Sequence, residues 1–290
     1  DAITALRRAL ELNPDDPNAH TNLAYTLLMA GEIEQGFNQY DNRWKNPEFP
    51  SSRRPFRQQI WRGENPGNKR ILLYMEQGMG DEIMFAWYFN KALSLAKNIT
   101  VECDPRLIPI FKRSFPTIEF IPRQDEAHLA TRNPEIIYKA PIGHIPKFFW
   151  HDLRRHINKV GSSAFRPIAR TEPYLKTDNE HRKKWRRYLD EAGGTRIKVG
   201  VCWRSSIHSR ARDRQYLTAE EIVQPFDPRF AVFNIQYDHM LAETEALERV
   251  CAENGVVFDT PPDLDLRNDL DELTALTQEL DLIVTPLIST

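Results

Sequence analysis

The chain has 290 residues, 41% of them hydrophobic, and a formal net charge of −2. This is length enough for two domains with real cores, and it excludes wholesale disorder. The near-neutral balance supplies no field for nucleic acid or an anionic membrane, and no apolar run approaches the roughly 18 residues that span a bilayer.

The first segment is helical and repetitive. AITALRRALELNP (2–14) carries Ala2, Leu6, Ala9 and Leu10 at helical spacing and stops at Asn13-Pro14. In DDPNAHTNLAYTLLMAGEIEQGFNQYDNRW (15–44), Pro17 opens a helix, Leu23, Leu27 and Leu28 line one face, and Gly31 ends it. A second helix follows with Ile33, Phe37 and Tyr40. Ala2 set against Gly36, and Leu6 against Tyr40, gives a self-match at an offset of about 34 residues, the tetratricopeptide period. Residues 1–47 thus resemble the second helix of one such repeat and one whole repeat, so the chain is expected to begin within an array. Residues 48–69 hold three prolines and no period. They read as a surface-wrapping linker anchored by Phe56 and Trp61.

From Arg70 strands and helices alternate. RILLYM is a buried-type strand, and an amphipathic helix is expected from about Asp81 to Lys97. ITVECD, IEFIP and EIIYKAP are further strands, with RLIPIFKRSF as a helix between the first two. The stretch HRKKWRRYL reads as a solvated helix face with Trp185 turned inward. The pattern then restarts with IKVGVCW, FAVFNIQY, VVFD and DLIVTPL as strands, and TAEEIVQPF, HMLAETEALERVCAENG and LDELTALTQEL as helices. Two such runs predict two Rossmann-like α/β domains, at 70–192 and 193–290. The second stops just after a strand, so a complete domain would continue beyond Thr290.

In open α/β sheets, ligands bind beyond the carboxyl ends of strands. Two loops fall there. In QGMGDE, Gly78 and Gly80 bracket a turn followed by Asp81. A dinucleotide fingerprint would use this G-x-G with Glu102 or Asp104 on the ribose, but its third glycine position is Ile83, and Asp81 sits where the pyrophosphate should lie. Asp81 is therefore either a helix cap or a carboxylate placed to take a proton from an acceptor hydroxyl. The second loop, RSSIHSRARDR, offers Arg204, Arg210, Arg212 and Arg214 with His208, together with hydroxyls from Ser205, Ser206 and Ser209. Guanidinium forks suit phosphate oxygens, although a solvated loop has the same composition. An acid in one half and a cationic loop in the other are what group transfer from a diphosphate donor needs.

The repeat-like helices, IWRGENPGNKRILLYMEQGMGDEIMFAWYF, VGVCWRSS, FNIQY and LDLIV together resemble bacterial tetratricopeptide proteins with a glycosyltransferase-like C-terminal region. That region is similar to heptosyltransferases and, more distantly, to the O-GlcNAc transferase group, which share the GT-B fold. The resemblance implies Asp81 as base and Arg204, Ser205 and Ser206 at the donor phosphates. It places Gln236, Tyr237 and Asp271 near the nucleotide. It also implies a nucleotide-sugar donor and neither metal nor other cofactor. The chain departs from heptosyltransferases near its end, where TPLIST lacks the Asp of their Asp-Thr-Gly-like turn.

No metal site is expected. His151 and His156 fall on different helix faces, and Cys103, Cys202 and Cys251 lack C-x-x-C spacing. Cysteines of this kind read as buried thiols in a reducing, cytoplasmic setting. The sequence thus points to a metal-independent glycosyltransferase, with a protein partner or acceptor for the repeat helices and no nucleic acid. The alternative is a non-catalytic repeat scaffold carrying a degenerate GT-B-like region.

Overall fold

The computed structural model describes residues 1–152, 154–155, 173–206, 213–238 and 240–286. They divide into two compact units: the described residues of 1–108 and 115–174, and those of 109–114 and 175–290.

The first unit opens with the expected helices, α1 (Ala2–Leu12), α2 (Pro17–Met29) and α3 (Ile33–Tyr40). Asp16 caps α2 by accepting from the Asn18 and Ala19 N–H groups, and Pro17 stands at the first helical position. Gly31 ends α2 at φ +81, a left-handed turn that suits glycine. Gly36 lies where α3 crosses α2. A Cβ there would stand 2.6 Å from the Leu28 side chain, so no larger residue fits without movement.

A five-stranded parallel sheet follows, with order β1-β5-β2-β3-β4. Its strands are β1 (Gln59–Ile60), β2 (Arg70–Tyr74), β3 (Asn98–Cys103), β4 (Glu119–Pro122) and β5 (Ile136–Pro141). The proline-rich segment is more than a linker, because its Gln59 and Ile60 pair with Tyr138 and Lys139 as the edge strand. Its two aromatic anchors are in place: Trp61 is wholly buried and Phe56 packs with Leu72, Tyr74 and Ile136. The helix expected across 81–97 is two helices, α4 (Met79–Ala86) and α5 (Phe89–Leu95). Trp87 and Tyr88 form the turn between them, and Tyr88 and Phe89 are both buried.

The second unit contains α6 (Ile108–Ser114) from Pro109 onward and α7 (Asn179–Gly193). Its parallel sheet has order β8-β7-β6-β9, from β6 (Ile197–Val201), β7 (Phe230–Asn234), β8 (Val257–Asp259) and β9 (Leu282–Val284). Also in it are α8 (Ala219–Val223), α9 (Leu241–Glu253) and α10 (Leu270–Glu279). One face packs Trp185 and Leu189 of α7 against Ala231, Phe233, Ala275 and Leu276. The other packs Val199, Val201 and Trp203 against Ile222, Val223, Leu247 and Cys251. The structure therefore groups α7 with the second sheet, and the unit boundary falls earlier than the 192/193 division drawn from sequence. Trp185, turned inward as expected, is what ties α7 there.

From β2 in one sheet and β6 in the other, the chain runs outward through three strands and then returns to the other side of that strand. Each has one switch point, between β2 and β5 and between β6 and β9, and the two glycine- and arginine-bearing loops leave from these points.

Candidate functional site

Met75 and Glu76 follow β2, and at the first switch point the protein fills its own crevice. Arg43, from the short helical turn Asp41–Lys45, is wholly buried, as is Glu76. Its Nε donates to Glu76 Oε2 at 3.2 Å, Nη2 donates to Oε1, and Nη1 donates to the Tyr40 carbonyl at 2.7 Å. The Gly143 N–H, just past β5, donates to the same Oε1 at 3.0 Å. A Cβ on Gly143 would meet Glu76, Tyr40 and Arg43 together, so only glycine fits. Burial pushes Glu76 upward in pKa, against the Arg43 guanidinium, which lowers it. Close by, Asp41 binds His144 Nδ1 at 2.8 Å and Lys147 Nζ at 2.9 Å. Burial would raise Asp41, but these two partners bring it down to about 2.

The glycine turn is then set residue by residue. Gln77 adopts φ +62, unusual for a residue with a side chain. Its N–H donates to Ser51 Oγ at 2.6 Å, and its side-chain amide donates to Tyr40 Oη at 3.0 Å. Gly78 is the N-cap of α4, and Asp81, three residues on, accepts the Gly78 N–H at 3.2 Å through Oδ2. Asp81 thus caps the helix from inside rather than standing at the cap position itself. It is partly buried, and that burial raises its pKa above the usual aspartate value, against the Gly78 N–H and its own N–H, which lower it. Gly80 lies exposed beside it. A carboxylate more basic than normal, presented at the carboxyl end of a central strand, is suited to accept a proton.

The dinucleotide alternative finds no support in this geometry. The crevice holds Arg43 and Glu76. Glu102 is fully buried and forked by Arg54, with Nε to Oε2 at 2.9 Å and Nη2 to Oε1 at 2.7 Å. Asp104 is bound by Arg106.

At the second switch point Arg204 is buried and fully engaged. Nε donates to Glu243 Oε1 at 2.8 Å, Nη2 donates to Oε2 at 2.8 Å and to the Asp238 carbonyl at 2.6 Å. A phosphate would have to displace Glu243 to reach this guanidinium. Gln236 is also structural in its bonds: its Oε1 accepts the Trp203 and Arg204 N–H groups at 3.0 and 3.1 Å, while its Nε2 donates to the Arg204 carbonyl at 2.9 Å. Tyr237 Oη accepts the Ser206 N–H at 2.9 Å and reaches Ser205 Oγ and Ser206 Oγ at 3.3 and 3.4 Å. The structure therefore brings Arg204, Ser205, Ser206, Gln236 and Tyr237 into one network. Asp271 is elsewhere in the same unit, forked by Arg113 through two bonds of 2.7 Å. Arg210, Arg212, His208 and Ser209 lie outside the described residues, and Arg214 is exposed. Sequence reasoning missed Arg43, Glu76, Arg113 and Glu243. Nothing in the local pattern marked them, because each partner lies far along the chain.

Among the described residues, no group of three or more His, Cys, Asp or Glu could hold a metal ion, and no helix is long and apolar enough to cross a membrane.

A TPR repeat family model matches residues 1–31. Protein FlbA of Caulobacter vibrioides is 27% identical over 272 residues, covering 90% of this chain but 43% of FlbA, so the chain spans less than half of that relative. Among solved structures, a glycosyl transferase family 9 protein from Veillonella parvula superposes with a TM-score of 0.48 at 14% identity, over 75% of this chain and 76% of the other. The ADP-heptose LPS heptosyltransferase II of E. coli gives 0.46 at 17% identity, over 75% and 79%. Likeness of this size carries no inference about chemistry.

Proposed function

We propose that this chain carries a metal-independent glycosyltransferase of GT-B type, moving a sugar from a nucleotide-diphosphate donor to an acceptor hydroxyl. The observation that carries the proposal is the Asp81 carboxylate: partly buried, raised in pKa, and set on a glycine turn beside a switch point already closed to phosphate. Asp81 takes the hydroxyl proton as the acceptor oxygen forms its bond to the anomeric carbon. The bond from that carbon to the diphosphate oxygen breaks, and the electron pair leaves with the nucleoside diphosphate. The donor belongs to the second unit, at the backbone and hydroxyls of Ser205, Ser206 and Tyr237 and the cationic stretch to Arg214. Arg204 holds this loop in shape through Glu243. The repeat helices offer a surface for a protein partner or acceptor.

The test is thermal shift against UDP, GDP, ADP, CDP and TDP, followed by transfer assays with the matching nucleotide sugar. A nucleotide at 100 times its dissociation constant adds about 2.7 kcal/mol to the unit that binds it. Stabilisation by one nucleotide, with transfer abolished in Asp81→Asn, is the expected result. One observation favours a second reading, a non-catalytic repeat scaffold: the Arg204 guanidinium is closed onto Glu243. No response to any of the five nucleotides would count against the transferase and favour the scaffold.

A further inference from the structure

A cavity of about 920 Å³ lies in the first unit, away from the glycine turn. It is bounded by residues 55–59 of the proline-rich segment, by 125–127 and 131–134 on the return from β4 to β5, and by 136–138 at the start of β5. The Arg43–Glu76 crevice lies past the other end of β5, about 16 Å along a strand that rises about 3.3 Å per residue.

Both walls are tethered. Arg54 forks the buried Glu102 and also donates to the carbonyls of Asp125 and Glu126 at 3.3 and 3.4 Å, which holds the proline-rich segment to the return segment. Gln58 Nε2 donates to the Thr131 carbonyl at 2.7 Å, Lys139 Nζ donates to the Phe56 carbonyl, and Gln59 pairs with Tyr138. Phe56 and Ile136, both buried, supply an apolar floor. The cavity is therefore preformed, and its size falls within the roughly 300–1,000 Å³ of small-molecule sites.

Its charges are arranged unlike those at either switch point. Arg43, Arg54, Arg113 and Arg204 are each closed onto a carboxylate. Arg57 and Arg132 border the cavity together with Asp125 and Glu126, and all four are exposed. Among the described residues, none of these four side chains enters an ion pair. Opposite charges that share a cavity without meeting are held apart across it. A molecule carrying both a carboxylate and an ammonium would satisfy the two signs at once. A bare anion or a bare cation would gain one pair of charges and be repelled by the other.

We propose that this cavity binds a zwitterion, either a free amino acid or a short unblocked peptide. Its carboxylate meets Arg57 and Arg132, and its ammonium meets Asp125 and Glu126. The site stands apart from the group-transfer reading and does not depend on it.

The experiment is equilibrium dialysis of the full chain at low ionic strength, with the bound fraction read by mass spectrometry. One arm holds an equimolar mixture of the common amino acids, a second holds unblocked tripeptides, and a third holds the same tripeptides acetylated and amidated at their ends. The expected result is enrichment in the first or second arm, falling about tenfold or more in Arg57→Ala with Arg132→Ala, and none in the third. The near-isosteric pair Asp125→Asn with Glu126→Gln should give the same loss, which guards against a misfolded arginine variant. Enrichment in the first arm alone identifies a free amino acid, and enrichment in the second identifies a peptide. No enrichment in either overturns the proposal, as does equal enrichment in both variants or equal retention of the blocked peptides.

Discussion

Glu82 is the carboxylate next to Asp81, yet it faces the interior and is wholly buried. Its Oε2 accepts the Asp104 N–H at 2.8 Å, and Arg123 Nη1 stands 3.1 Å from Oε1 without a well-aligned hydrogen bond. Two effects compete. Arg123 favours the charged form, but its side chain is 30% exposed and its pull is screened by water. Burial favours the neutral form and prevails, pushing Glu82 from 4.5 up to about 7; the Asp104 N–H and Arg123 lower it only in part. The folded state thus holds this proton more tightly than the unfolded state does. Stability from Glu82 is intact below about pH 4.5, falls as pH rises toward 7, and is flat above. The interval from 4.5 to about 7 converts to about 3 kcal/mol. Glu82→Gln removes the ionisation while keeping an acceptor for the Asp104 N–H. Urea melts of both proteins at about pH 4.5 and about pH 8 should show the variant gaining up to about 3 kcal/mol on the parent between the two. An equal difference at both pH values would mean that Arg123 keeps Glu82 charged, and the reasoning from burial would be wrong.

Arg43→Met leaves Glu76 buried without its partner and should cost about 3–5 kcal/mol, whereas Arg43→Met with Glu76→Leu should recover most of it; a loss below about 1 kcal/mol in the single variant's thermal melt would refute the pairing. Gly36→Ala drives a methyl into Leu28 and should destabilise by about 1–3 kcal/mol in urea melts, unlike a neutral control such as Glu34→Ala on the exposed face of α3. Burial would raise Glu243, but Arg204, the Met240 N–H and the Trp203 indole bring it down to about 2. Its stabilising contribution is therefore present above its ordinary 4.5 and is lost as pH falls toward about 2. Glu243→Gln should flatten that part of the acid-unfolding curve, and an unchanged curve would show that the Arg204–Glu243 pair adds nothing to stability.

The alternation of short apolar strands with amphipathic helices was legible from local pattern alone, and so were the α2–α3 hairpin and its Gly31 stop. The break between α4 and α5 was not, because no Gly or Pro marks it in FAWYF, and apolar residues run through it without interruption. Gln59 and Ile60 could not be read as a strand, since two residues give no alternation and their pairing rests wholly on β5. At the sites, loop position was readable: glycines before Asp81 and a polar loop after Trp203. What the loops do with their charges was not. Arg204 looks like an anion donor until Glu243, 39 residues on, is seen holding it. Asp271 looks like a nucleotide contact until Arg113 is seen at both its oxygens. Long-range ion pairs leave no local trace, so the partners of these cationic and acidic positions could not be read from the loops.

The Arg43–Glu76 pair also bears on how freely this architecture can be cut and recombined. A helical repeat is often treated as a portable module, joined by a tether and exchangeable for another. Here the last turn of the hairpin supplies the counter-charge for a buried carboxylate just past the end of strand β2. A chain lacking residues 1–47 would leave a bare acid at the centre of its first α/β unit. Grafting this sheet behind a different helical array would require the Tyr40–Arg43 turn, Glu76 and Gly143 to travel together. The seam at which the protein can be parted therefore lies upstream of α3, inside the repeat, and not at the proline-rich stretch where the sequence seems to invite the cut.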